Sequence, residues 1–179
     1  YYVLGNECMK HGASDAAIAN YDKAIAMNPR HIEAYVSKAQ VLLREGKLRK
    51  ALTSVNSALD IIPSHFKSLY TRGKILYAMN ELELAAADLD RATSMKKDNI
   101  SAHKLFGDIL AKQGDEDSAS LHWSIAERLR KKKGKEKMGF YNKNKNVTVS
   151  IGDVAVFKGK TDNTGKCNVQ LSNLTLSEG

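Results

Sequence analysis

Apolar residues along the first three quarters of the chain recur at helical spacing, and the recurrence itself has a fixed period. In Asp15 to Pro29, DAAIANYDKAIAMNP, Ala17, Tyr21 and Ala24 fall on one face at i, i+4 and i+7, and a proline closes the run. The stripe returns every 34 residues: Ala51, Val55, Ala58 and Pro63, then Ala85, Leu89 and Ala92, then Ala119, Trp123 and Ala126. A small-large-small stripe requires another helix close against it, and a register that never slips marks a repeat protein.

Each period predicts a partner helix upstream. Tyr1 to about His11 places Leu4, Gly5 and Cys8 on its inner face, Gly12 ends it, and Ser14 or Asp15 caps the next helix. The later partners carry Tyr35, Ala39 and Leu42 with Gly46 at the turn, Leu69, Gly73 and Leu76 with Asn80, and His103, Phe106, Gly107 and Leu110 with Gly114. Glycine or alanine at residues 5, 39, 73 and 107 admits the facing helix, and glycine or asparagine at each turn tolerates a left-handed backbone. Cys8 stands in the column of Leu42, Leu76 and Leu110 as a small buried hydrophobe, and Trp123 stands in the column of Tyr21, Val55 and Leu89 as core.

The register is lost after Lys133. The helix beginning near Asp117 is expected to run through ERLRKKK and fray at Gly134, and residues 134–146 read as a basic linker. From Asn146 the period becomes two: VTVSI, a turn at Gly152 and Asp153, VAVFK, a longer loop, then KCNVQLSNLTLS. Residues 147–179 thus read as a β segment too short to be a sound domain alone. The chain starts inside a helix and stops in mid-pattern, so sequence is expected beyond both ends.

Charge sharpens this division. The net charge is +8, and Arg128 to Lys145, with nine basic residues against Glu136, accounts for all of it. The repeats are therefore electrically balanced, and the cluster suits the negative pole of the helix it ends. At 42% hydrophobic and 27% charged the chain can bury a core. No apolar run reaches the length of a membrane span. Cys8 and Cys167 form no disulfide framework, which fits a reducing compartment and a cytoplasmic location.

The array resembles the tetratricopeptide repeat family through Tyr1, Leu4, Gly5, Cys8, Ala17, Tyr21, Ala24 and Pro29 and their equivalents in later periods. The resemblance covers Tyr1 to Lys133, with repeats at about 1–31, 32–65, 66–99 and 100–133. It departs where Lys38 and Arg72 replace the early leucine and where Lys97 and Lys131 replace the proline. The implied fold is mainly α: a right-handed α-solenoid of four helix-turn-helix repeats, followed by the basic linker and the short β segment. Thr175 to Gly179 also resemble the serine-and-glycine turn of the PilZ family of bacterial cyclic-di-GMP receptors, so the segment reads alternatively as a truncated PilZ-like barrel. There Lys143 and Lys145 stand near the place of that family's arginine pair, and Thr175 replaces its aspartate or asparagine.

No catalytic or metal-binding constellation is legible. His11, His31 and His65 fall at helix ends, and His103 and His122 have no Cys, Asp or Glu at ligand or triad spacing, so all five are expected to be surface or capping residues. Gly152 and Gly165 precede no helix start and read as strand turns. The chain is read as a non-enzyme without cofactor or metal.

The resemblance implies that the first helices line a concave groove for a protein or peptide partner. Its residues are Asn6 and Lys10 in the first repeat and Val36, Gln40 and Arg44 in the second. The third supplies Lys67, Tyr70, Thr71, Lys74 and Tyr77, and the fourth Lys104 and Asp108. Such a surface suits a partner with apolar anchors and some acidic residues. A chaperone-type carboxylate clamp is disfavoured, because Asn6 and Lys67 match that pattern while Tyr2, Ser37 and Thr71 do not. The leading expectation is a protein-binding adaptor, with a cyclic-di-GMP-responsive regulator as the alternative. Nucleic acid is disfavoured, since it rests on Arg128 to Lys145 with Phe140 and Tyr141 alone. A homo-oligomer stays open.

Overall fold

The computed structural model describes residues 1–142, 146–151 and 154–160, with side-chain environments over residues 1–134. It divides into two compact units, Tyr1–Glu127 and Arg128–Gly179. The first unit is a run of helical hairpins: α1 (Tyr2–Lys10) with α2 (Ser14–Met27), α3 (Ile32–Arg44) with α4 (Leu48–Ile61), α5 (Phe66–Ala78) with α6 (Leu82–Met95), and α7 (Ile100–Lys112) with the start of α8 (Glu116–Asn142). From α1 to α7 each helix packs on the next.

The alanine stripes do what their spacing predicts. Ala17, Ala51, Ala85 and Ala119 are wholly buried, and Tyr21, Val55 and Leu89 fill the facing column. Size is matched across the hairpin. A Cβ on Gly5 would lie 2.5 Å from the Tyr21 ring, one on Gly73 would overlap Leu89, and one on Gly107 would lie 2.6 Å from Trp123. Only where the facing residue is the smaller Val55 does the position hold an alanine, Ala39. The turns take left-handed backbones at Gly12, Gly46 and Gly114, and Asn80 does so at φ 63°. Asn28 and Ile62, each before a proline, leave their helices in extended conformation, and Lys96 takes nearly the same angles without a proline behind it. That is why Lys97 is tolerated there.

Five local expectations need correction. Ser14 and Asp15 do not cap α2: Ala13 is the capping residue, and Ser14 and Asp15 lie in the first turn. Leu4 is exposed and not packed on an inner face. Cys8 is only partly buried, against Ala17 and Tyr21. Trp123 covers Gly107 but stays 38% exposed. α8 does not fray at Gly134 but continues to Asn142. Each of its two glycines, Gly134 and Gly139, costs the helix only about 1 kcal/mol, and the Lys, Arg and Glu around Gly134 are good helix formers.

In the second unit Asn146–Ile151 (β1) and Val154–Lys160 (β2) pair antiparallel, with Asn146 opposite Lys160 and a register shift between Val149 and Ser150. The turn at Gly152 and Asp153, the third strand and the PilZ-like segment lie outside the described residues.

Candidate functional site: the inner face of the first helices

α3 packs on α5 and α5 on α7, whereas among the described residues neither α2 with α4 nor α4 with α6 makes a comparable contact. The first helices are therefore the more crowded side, the inside of the curve. On this face Asn6 and Met9 of α1, Tyr21 of α2, Ser37, Gln40, Val41, Leu43 and Arg44 of α3, and Lys74 of α5 enclose a cleft of about 410 Å³. Four residues expected in the groove, Asn6, Gln40, Arg44 and Lys74, thus come together from three separate helices.

Internal bonds set the cleft's polarity. The Tyr21 hydroxyl donates to Asn6 Oδ1 at 2.8 Å, and burial, with Tyr2 nearby, raises the Tyr21 pKa, so the phenol stays a neutral donor. The Gln40 amide donates to Thr71 Oγ1 at 3.3 Å. No acidic residue lines this cleft, so Arg44 and Lys74 give it a net positive charge. A second opening of about 460 Å³, between α2 and α4, carries both signs: Asp15, Asp22, Lys38, Lys47 and Lys50 line it, and Lys38 pairs with Asp22.

The remaining expected residues divide into three groups. Val36 and Thr71, at 3% and 1% exposure, are buried; they support the wall and present no surface to a partner. Lys10 pairs with Glu7 at 2.6 Å, and Asp108 accepts from Trp123 Nε1 at 2.9 Å. Lys67 and Lys104 are exposed, while Tyr70 and Tyr77 are half-buried. Tyr70 stacks on Phe66 with centroids 6.1 Å apart, and burial raises its pKa against an opposing hydrogen bond from Ser101. Lys74 lies over the Tyr70 ring at 5.9 Å and Lys112 over the Tyr77 ring at 4.3 Å. The aromatic part of the groove therefore already has cationic cover.

The histidines answer the sequence unevenly. His31 caps α3 by accepting from the Ala34 amide, His65 stands at the N-cap position of α5 without a side-chain capping bond and bonds the Ser68 hydroxyl at 2.8 Å, and His11 ends α1. His103 contradicts the expectation: it is buried, at 5% exposure, and bonded on both ring nitrogens. Nothing in a 19-residue separation flags that contact with His122. Among the described residues no group of three or more His, Cys, Asp or Glu is placed to hold a metal ion, and no helix is long and apolar enough to cross a membrane.

Residues 70–120 match the family model for the tetratricopeptide repeat, and residues 10–92 match the model for anaphase-promoting complex, cyclosome, subunit 3. The array belongs to the tetratricopeptide repeat family. Solved structures agree on the fold. MamA residues 41 to the end from Desulfovibrio magneticus RS-1 superimposes with TM-score 0.67 at 21% identity, covering 73% of this chain and 74% of that one. YrrB, described as a tetratricopeptide repeat protein with an unusual peptide-binding site, gives 0.64 at 23% identity over 72% of this chain and 66% of its own. TTC0263, a thermophilic tetratricopeptide repeat protein from Thermus thermophilus, gives 0.64 at 22% identity over 72% of each. No curated protein sequence matches the chain significantly. These likenesses show the fold; the coarse role of a protein-interaction scaffold rests on the two repeat-family models that match residues 10–92 and 70–120.

Proposed function

We propose that the array is a non-enzymatic, cytoplasmic adaptor that seats an extended segment of a partner protein along its inner face, with a carboxylate side chain of that segment between Arg44 and Lys74. The observation behind this reading is the cleft of about 410 Å³, walled by three successive first helices and lined by two cations, amide and hydroxyl groups, and no acid. Its apolar floor of Met9, Val41 and Leu43 suits an aliphatic anchor beside the carboxylate. Charge-assisted hydrogen bonds of this kind contribute about 1.5–3 kcal/mol each.

A fluorescence titration against an array of short peptides combining aliphatic and acidic residues tests it. Peptides with both features should bind, and Arg44→Glu with Lys74→Glu should weaken them at least about tenfold, as loss of one such bond requires. The thermal midpoint should stay unchanged, since surface substitutions cost little. Undiminished binding in the double variant would reject this surface.

A further inference from the structure

We propose that His103 and His122 form an acid-operated latch that holds α8 against α7 while the pair carries no more than one added proton. Its geometry restricts how protons can be placed. His103 Nε2 lies 3.1 Å from the Lys97 carbonyl oxygen, which can only accept, so Nε2 bears a hydrogen. His103 Nδ1 lies 2.9 Å from His122 Nδ1, a separation that accommodates one hydrogen between them. In the neutral pair His122 Nδ1 donates to His103 Nδ1, and His122 Nε2 is the unprotonated nitrogen. One proton can bind there, or pass to the shared position, with the bond intact. A second places an N–H on both facing nitrogens and a positive charge on each of two stacked rings, with centroids 5.2 Å apart. The contact then separates.

The surroundings offer little to neutralise that charge. His103 is buried, and His122 lies against the Phe106 ring at 4.3 Å. From α6, Asp90 is the acid whose field favours the charged form of His122. Burial and the neighbouring His103 outweigh it and lower the His122 pKa below the usual histidine value. The sign follows from linkage. The unfolded chain binds the proton more readily, so the buried neutral His122 contributes stability above about pH 6.5 and loses it as the pH falls below that value, while the bond itself opens only with the second proton.

Trp123, the one tryptophan of the chain, adjoins His122 and bonds Asp108 across to α7, so it reports on this joint. The experiment compares wild type with His122→Asn, which installs the residue that Asn20 supplies at the same place in the first repeat and can donate without titrating. Between pH 7.5 and 5 the wild type should show a red shift of Trp123 emission and a thermal midpoint that falls about 3 °C further than the variant's. Superimposable pH curves for the two proteins would overturn the proposal. Nitrogen-15 spectra of the wild-type imidazoles provide an independent test that does not depend on the variant folding. The second protonation should coincide with loss of the His103 Nδ1 hydrogen bond; two fully protonated rings with that bond retained would refute the latch.

Discussion

The third and fourth hairpins fill one packing position with opposite chemistry. Leu69, Arg72 and Asp88 in the third become His103, Phe106 and His122 in the fourth, each 34 residues on. In the third hairpin the polar group on the second helix is a carboxylate at 3% exposure, held by both Nε and Nη2 of Arg72 at 2.6 and 2.8 Å. Arg72 also reaches Asn56 of the preceding repeat at 3.2 Å, and its hydrogen bond to Asp88 raises its already high pKa. In the fourth hairpin an aromatic residue stands where the arginine was, and the polar partner comes from position 103. The fold thus requires that a polar group at this place be satisfied, and leaves open which neighbour satisfies it. Ser54, bonded to the Tyr35 carbonyl, is the second hairpin's answer.

The sharpest way to break the comparison is Arg72→Met. It leaves a buried carboxylate without its partner, and urea denaturation should show a loss of about 3–5 kcal/mol. Adding Asp88→Ser, which copies the second hairpin, should return most of that loss. A single variant within about 1 kcal/mol of wild type would mean that the ion pair does not hold the joint.

A smaller effect tests the size match. Gly73→Ala forces a Cβ into the side-chain tip of Leu89, which is wholly buried and must shift within the core. The expected cost is about 1–3 kcal/mol in the same denaturation measurement.

The smallest concerns the two turns, where Asn80 in the third hairpin corresponds to Gly114 in the fourth. Gly114→Ala should cost about 1 kcal/mol, and Gly114→Asn less than half of that, because asparagine tolerates the left-handed region better than alanine. Equal thermal midpoints for the two variants would show that φ at this turn is not what selects the residue.

Much of this protein is legible without coordinates. Helix faces follow from a period of 3.6, and close approach follows from small residues opposite large ones. Left-handed turns follow from glycine and asparagine. All three are properties of residues within one hairpin, so the periodic pattern is enough to state them. The groove was expected from the resemblance to the tetratricopeptide repeat family rather than from spacing, and four of the residues it implied, Asn6, Gln40, Arg44 and Lys74, line one cleft. The resemblance could not show that Val36 and Thr71 are covered, because that depends on how adjacent repeats are rotated against each other.

The tertiary structure alone decided the polar pairings. Arg72 and Lys38 look in the sequence like lapses from an apolar pattern, yet each meets an acid 16 residues away, on the second helix of its own repeat for Arg72 and of the preceding repeat for Lys38. His103 looks like a surface residue and is enclosed. Trp123 looks like core and is partly open to solvent. In each case a side chain's state is set by a neighbour on another helix, and a one-dimensional period fixes which way a residue faces but not what stands opposite it.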